Sequence, residues 1–266
     1  MGRNMGHTGK TLIGLIAASL TFGSAAGAQK VTRQAPTAAD LAAMAKLPDF
    51  SGVWETSLGG GAAARGRGAR SAAAPSLTPE YAAKAQAQER QAAKAEDNPS
   101  ANCLPPGMPA IMGQPYPIEI LMTPGKVTIV IEAYTQVRHI YTDGRALPQD
   151  PDPTFFGTSV GRWDGNTLVV ETVGLEDVPR GLSFPYSDKI RIVERFRLAD
   201  PNTMTVETTI NDPEALTMPY SMGTRTFTRH RNWTIAEYIC EENNRNFVDE
   251  KGKAGLNLAN PDASPK

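Results

Sequence analysis

The chain has 266 residues, 27 basic and 28 acidic side chains, and a formal net charge of −1. That balance excludes the basic surplus on which nucleic-acid binding draws, and no acidic tail is present. The length admits one large β domain or two small domains.

Residues 1–28 read as a secretory signal peptide. Arg3 and Lys10 make a positive start, and residues 11–22, TLIGLIAASLTF, form an apolar run. That run is shorter than the ~20 residues that cross a bilayer. Ala26-Gly27-Ala28 is an A-x-A cleavage pattern, which makes Gln29 the first mature residue, and no cysteine follows it to carry a lipid. The expected location is the periplasm or the exterior, with no membrane span after signal cleavage.

Residues 29–48, rich in Ala, Thr and Gln, are expected to form an N-terminal tether or short helix. A single β domain over 49–246 then begins with a strand at Asp49-Phe50-Ser51-Gly52-Val53-Trp54-Glu55. Residues 57–75 carry mostly Gly, Ala and Arg and lack the apolar mass to fold, which predicts a mobile loop. Thr78-Pro79-Glu80 starts a surface helix over 79–96. Thr suits the cap, Pro the first helical position and Glu the positive end of the dipole. Residues 103–117, CLPPGMPAIMGQPYP, hold five prolines and two glycines. They predict an irregular crossing segment, pinned by Cys103.

From residue 118 the sequence becomes strands separated by short turns. The expected strands are 118–123, 126–132, 135–142, 158–163, 167–173, 189–198, 203–210, 222–230 and 233–240, rich in Val, Ile, Thr, Tyr and Phe. Turns fall at Pro124-Gly125, Asp143-Gly144, Asp164-Gly165, Asp200-Pro201-Asn202 and Asn211-Asp212-Pro213. No βαβ spacing occurs. The pattern predicts an antiparallel meander of about 8–9 strands closing into a barrel or barrel-like sandwich, with one helix beside it. Residues 247–266 are expected to be a flexible tail.

The chain's two cysteines, Cys103 and Cys240, both lie beyond the signal peptide. An oxidising compartment favours a disulfide between them, worth about 4 kcal/mol by loop entropy. The alternative is two independent buried thiols.

Period-two alternation sorts side chains to faces. Ile190, Ile192, Glu194, Phe196 and Leu198 share one face, on which Glu194 is the lone carboxylate. Arg191, Val193, Arg195 and Arg197 share the other. His139 shares a face with Val137, Tyr141 and Asp143. Glu171 interrupts the face of Val169 and Val173.

Gly52-Val53-Trp54 resembles the Gly-x-Trp of the first strand of lipocalins. A wider resemblance covers roughly 48–246. CLPPGMPAIM, PYPIEI, RHIYTDGR, DPDPTFFGTSVGRWDGNTLVVET, SDKIRIVERF and EYICEENNR resemble a large family of secreted bacterial proteins of unassigned activity, abundant in sphingomonads and acidobacteria. The resemblance implies export and a lipocalin-like β fold, and no settled function. Relatives often have His where this chain has Tyr186, and often a His near Glu241.

The candidate catalytic constellation is His139, Tyr141 and Glu194. An imidazole, a phenol and a carboxylate in an apolar cavity have the proton affinities for acid–base chemistry. Against this stands a satisfied core, with Glu194 paired to an arginine of a neighbouring strand. Trp54, Phe155, Phe156, Trp163, Glu171, Tyr186 and His230 are the candidate ligand-binding residues, although aromatics are equally what a β core uses. No metal is expected. His139 and His230 sit on separate strands, no C-x-x-C or H-E-x-x-H occurs, and Asp143, Asp150 and Asp152 do not match a calcium loop. No G-x-S-x-G and no phosphate-binding loop occur, so no cofactor is indicated. The expected partner is a hydrophobic or aromatic small molecule held in a barrel cavity. The alternatives are a cofactor-independent lyase, isomerase or hydrolase using His139 and Glu194, and a structural protein of the cell envelope. Asp164-Gly165-Asn166 reads as hairpin chemistry and not as a site.

Overall fold

The computed structural model describes residues 35–56, 74–92, 103–176, 181–240, 246–248 and 254–256. The expected signal peptide, residues 57–73 of the expected Gly-Ala-Arg loop, the end of the expected helix beyond residue 92 and most of the expected C-terminal tail lie outside these.

The described chain is mainly β. Nine strands form one closed barrel in chain order. They are β1 (Gly52–Thr56), β2 (Ile118–Thr123), β3 (Lys126–Ile131), β4 (Gln136–Tyr141), β5 (Thr158–Asp164), β6 (Thr167–Val173), β7 (Arg191–Asp200), β8 (Thr203–Asn211) and β9 (Tyr220–His230). Two short helices accompany them, α1 (Ala38–Met44) and α2 (Pro79–Ala92). A small pair, β10 (Asn246–Val248) and β11 (Ala254–Leu256), begins at the last residue of the expected domain and lies otherwise within the expected tail.

The meander is antiparallel at every pair but one. β4 and β5 run parallel, through Ile140↔Ser159 and Tyr141↔Val160. The reason is arithmetic: an odd number of alternating strands cannot close with β9 antiparallel to β1 unless one neighbouring pair shares a direction. The β4–β5 link, residues 142–157, therefore travels from one end of the barrel to the other. Two-residue turns join β2 to β3, β5 to β6 and β7 to β8, whereas residues 174–190 and 212–219 connect β6 to β7 and β8 to β9. β5 and β6 meet at Asp164↔Thr167, where Gly165 takes a φ of 56°, a left-handed conformation that glycine adopts without a Cβ penalty. The tryptophan beside this turn, Trp163, packs on the Phe50 ring with centroids 5.8 Å apart. This corner is part of the frame.

Residues 233–240, expected as a strand, are irregular. The segment lies along the outside of the barrel, where side chains and not a ladder hold it. Thr135 Oγ1 donates to the Tyr238 carbonyl at 2.9 Å, and the Ala236 N–H donates to Glu132 at 3.0 Å. The Tyr238 ring packs edge-on against Tyr116 and beside Tyr134. Cys240 forms the disulfide with Cys103. That bond ties the segment to residues 103–117, which are irregular apart from a short 3-10 helix at Ala110–Gly113. Met108, Ile111 and Met112 of the Pro-rich segment enter the same core cluster as the barrel's interior side chains.

Helix α2 begins at Pro79, as the cap pattern predicts. A bridge between Leu77 and Leu216 and the bond from Thr78 Oγ1 to the Glu214 carbonyl anchor its start to the β8–β9 connection. Tyr81 is its buried contact.

Candidate functional site

The barrel interior combines an apolar core with a buried polar cluster. Apolar side chains make up most of the core. Trp54 is fully buried, its indole N–H donates to the Phe50 carbonyl at 2.8 Å, and the Arg229 guanidinium lies over its ring at 4.4 Å. Leu168, Phe196, Met204 and Phe227 pack into the same cluster. Burial holds the Arg229 guanidinium below its usual pKa, with Asp49 opposing the shift.

A buried polar cluster interrupts this apolar core. Arg138 on β4 and Glu194 on β7 are each 1% exposed. Arg138 donates through Nη1 to Glu194 Oε1 at 3.2 Å and through Nη2 to Glu194 Oε2, a bidentate pair. Its Nε and Nη2 also donate to Ser159 Oγ at 3.3 and 3.2 Å, and Nη2 to Thr172 Oγ1 at 3.0 Å. Ser159 and Thr172 are register partners across β5 and β6, and their hydroxyls lie 2.8 Å apart. The register thus delivers one polar side chain from each of four successive strands to a single interior level. Every one of them has a partner, as low-dielectric surroundings require.

Beside this cluster lies a cavity of about 340 Å³, at the small end of the range of ligand pockets. Glu194 contributes to its wall, with Thr56, Val206, Thr208 and Arg225 from other strands, and Met112 and Gly113 from the Pro-rich segment. Arg225 Nη1 is buried and has no hydrogen-bond partner among the described residues. Burial lowers the pKa of this guanidinium, and the Glu194 carboxylate opposes the shift. Gly113 is what allows the approach, because a Cβ there would collide with Arg225 Nη1.

The candidate residues named from the sequence are scattered by the fold. Glu194 faces inward at the cavity. His139 and Tyr141 face outward on β4, the strand whose Arg138 and Ile140 face inward. His139 is exposed, with Nδ1 3.5 Å from Thr128 Oγ1, and the Arg145 guanidinium covers the Tyr141 ring at 3.8 Å. The barrel wall therefore separates His139 and Tyr141 from Glu194, and the three do not share a site. Glu171 also faces outward and pairs with Arg191. His230 stacks on Trp233 at 3.7 Å on the outer face, with Nε2 3.1 Å from Glu55. Trp54 belongs to the apolar core and Trp163 packs against it. Phe156 packs against the core, and the Phe155 carbonyl accepts from the Met108 N–H at 2.9 Å. The Tyr186 hydroxyl donates to the Glu176 carbonyl at 2.6 Å. Of these ten residues, Glu194 alone lies on the cavity wall.

Arg138, Arg225, Ser159 and Thr172 were not selected from the sequence. The available signal was alternation on β4, which places Arg138 with Ile140. On β9 the phase breaks at Gly223, whose φ is 83°. Tyr220 and Met222 pack against the core before the break, and Arg225 and Phe227 line the cavity after it.

Fold and interior together define a class: a closed nine-strand β-barrel with a buried ion-pair cluster beside a partly open cavity. Compared with known proteins, the chain matches no family model and no curated relative.

Proposed function

We propose that this protein is an exported carrier that holds a small, largely apolar molecule inside its barrel. The cavity carries the reading. It is of ligand size, and its wall combines the apolar side chains of Met112, Val206, Met222 and Phe227 with threonine hydroxyls, Glu194 and Arg225, apolar surface to hold a small molecule and polar groups to orient it. Barrels of about eight strands have room for one such ligand. The resemblance to secreted bacterial proteins and to the lipocalin Gly-x-Trp bears on export and on the barrel, not on what the cavity holds. Export is supported by the signal-peptide pattern and by a disulfide, which persists in oxidising compartments. With His139 outside the wall, the residues at the cavity favour binding over the acid–base alternative.

The test is a titration of the purified protein with a neutral apolar fluorophore, N-phenylnaphthylamine. Saturable binding at one site is expected, and Thr208→Phe, which fills the cavity, is expected to abolish it. Absence of saturable binding, or binding unchanged in Thr208→Phe, would overturn the reading. For export, the amino terminus of the protein recovered from the periplasm is expected to be Gln29; an intact Met1 would exclude signal cleavage.

A further inference from the structure

Resting on the carrier reading, we propose that the ligand is an anion: a small amphiphile whose single carboxylate is received by Arg225 while its apolar body fills the rest of the cavity. The charges at the cavity are the starting point. Glu194 carries one negative charge, and Arg138 meets it with two parallel hydrogen bonds. Nε and Nη2 of Arg138 also donate to Ser159 and Thr172. That pair is electrostatically closed. Arg225 is the surplus cation, lining the same cavity, with Nη1 buried and unpartnered among the described residues.

A buried guanidinium donor without an acceptor is costly, because its water is gone and nothing replaces it. A ligand carboxylate supplies both the missing acceptor and the missing charge. Guanidinium and carboxylate match in geometry, and such charge-assisted bonds are about twice as strong as neutral ones. Thr56 and Thr208 bring hydroxyl-bearing side chains to the same wall, and Met112, Val206 and Phe227 bring apolar surface. An amine fits poorly: to reach Glu194 it must compete with Arg138, and it must also meet the Arg225 charge. A neutral alcohol would gain the apolar contact and leave Arg225 unmet.

The lowered pKa of Arg225, caused by its burial, accords with this arrangement. The close approach to Gly113 fixes where the guanidinium sits. Gly113 has no Cβ to push it away, and the atom that a Cβ would strike is the far end of a flexible side chain. Gly113→Ala therefore keeps the charge of Arg225 and moves it.

The experiment compares octanoate, octanol and octylamine as competitors of bound N-phenylnaphthylamine on the full-length mature protein. Octanoate is expected to compete at least about tenfold better than octanol, the difference a charge-assisted hydrogen bond supplies, with octylamine the weakest. In Arg225→Gln, octanoate is expected to fall to the level of octanol while octanol is unchanged. In Gly113→Ala, whose folding is checked by circular dichroism, the preference for octanoate is expected to shrink. Equal competition by octanoate and octanol in the wild type, or a preference that survives Arg225→Gln, overturns the anion proposal and leaves the carrier reading standing. Failure of the fluorophore and all three competitors to bind overturns both.

Discussion

Glu194 and Arg138 hold each other in place, and each is dangerous without the other. Glu194→Gln leaves the Arg138 guanidinium charged, buried and short of an anion. The expected cost is about 3–5 kcal/mol, read as a lower urea midpoint with an unchanged slope. Arg138→Met combined with Glu194→Met removes both charges and is expected to be milder than Glu194→Gln alone. A double variant as unstable as the single one would show that the pair itself, and not its broken half, governs stability. The sequence exposed one member of this pair and hid the other. Glu194 stands out because it interrupts the otherwise apolar face of β7. Arg138 does not, because on β4 the face of Val137, His139 and Tyr141 looks the more apolar. Alternation tells which side chains share a side of a strand; it does not tell which side is inside. That is decided by partners on other strands, and the partner of Arg138 lies 56 residues away. Arg225 was hidden differently, by the phase break at Gly223, which shifts inward positions by one.

At the scale of elements, the barrel strands were legible because each combines β-branched residues with a turn signal at its end. The segment 233–240 has the composition of a strand but lies along residues 132–135, where the contacts that hold it are made by side chains. Its attachment has two components that can be separated. The disulfide closes a loop of 137 residues, and replacing both cysteines by serine is expected to cost about 2–5 kcal/mol in thermal or urea unfolding. A loss well below that range would mean that the tyrosine contacts hold the segment unaided. The second component depends on pH. Burial, aided by Tyr134 and Tyr116, holds the Tyr238 phenol above its ordinary value of 10.0. Its folded pKa is raised, so its contribution is complete below the unfolded value and is lost as pH rises through the folded one. Alkaline titration of stability is therefore expected to fall above about pH 10. Tyr238→Phe is expected to flatten that limb while leaving neutral stability nearly unchanged. An alkaline limb identical in both proteins would assign it to other groups.

For the whole molecule, the main consequence of the fold is that closure buries a polar cluster, Arg138 with Glu194, Ser159 and Thr172, inside an otherwise apolar core beside a cavity that Glu194 and Arg225 line. The expectation of about 8–9 strands closing into a barrel is met, although 233–240 is no strand, β1 takes its place in the ring, and the links 142–157 and 174–190 are long. The parallel β4–β5 pair was not foreseen, because composition carries no strand direction; parity demands it once the ring closes. The site was largely illegible because it draws residues from strands far apart in sequence, joined by register alone.

Closure also has a kinetic meaning. The seam of the ring is β1 against β9, and across it His230 meets Glu55 from 175 residues away. Until β9 arrives, β1 and β8 are bare edges, each a template for another chain. Folding should accordingly be slow for the chain's size, since its last contact is among its longest in sequence. Truncation after Asn211 is expected to give aggregates rather than a soluble eight-strand sheet, as sedimentation would show. A soluble, monomeric truncate would mean that the ring's strength resides in its hairpins and not in its seam.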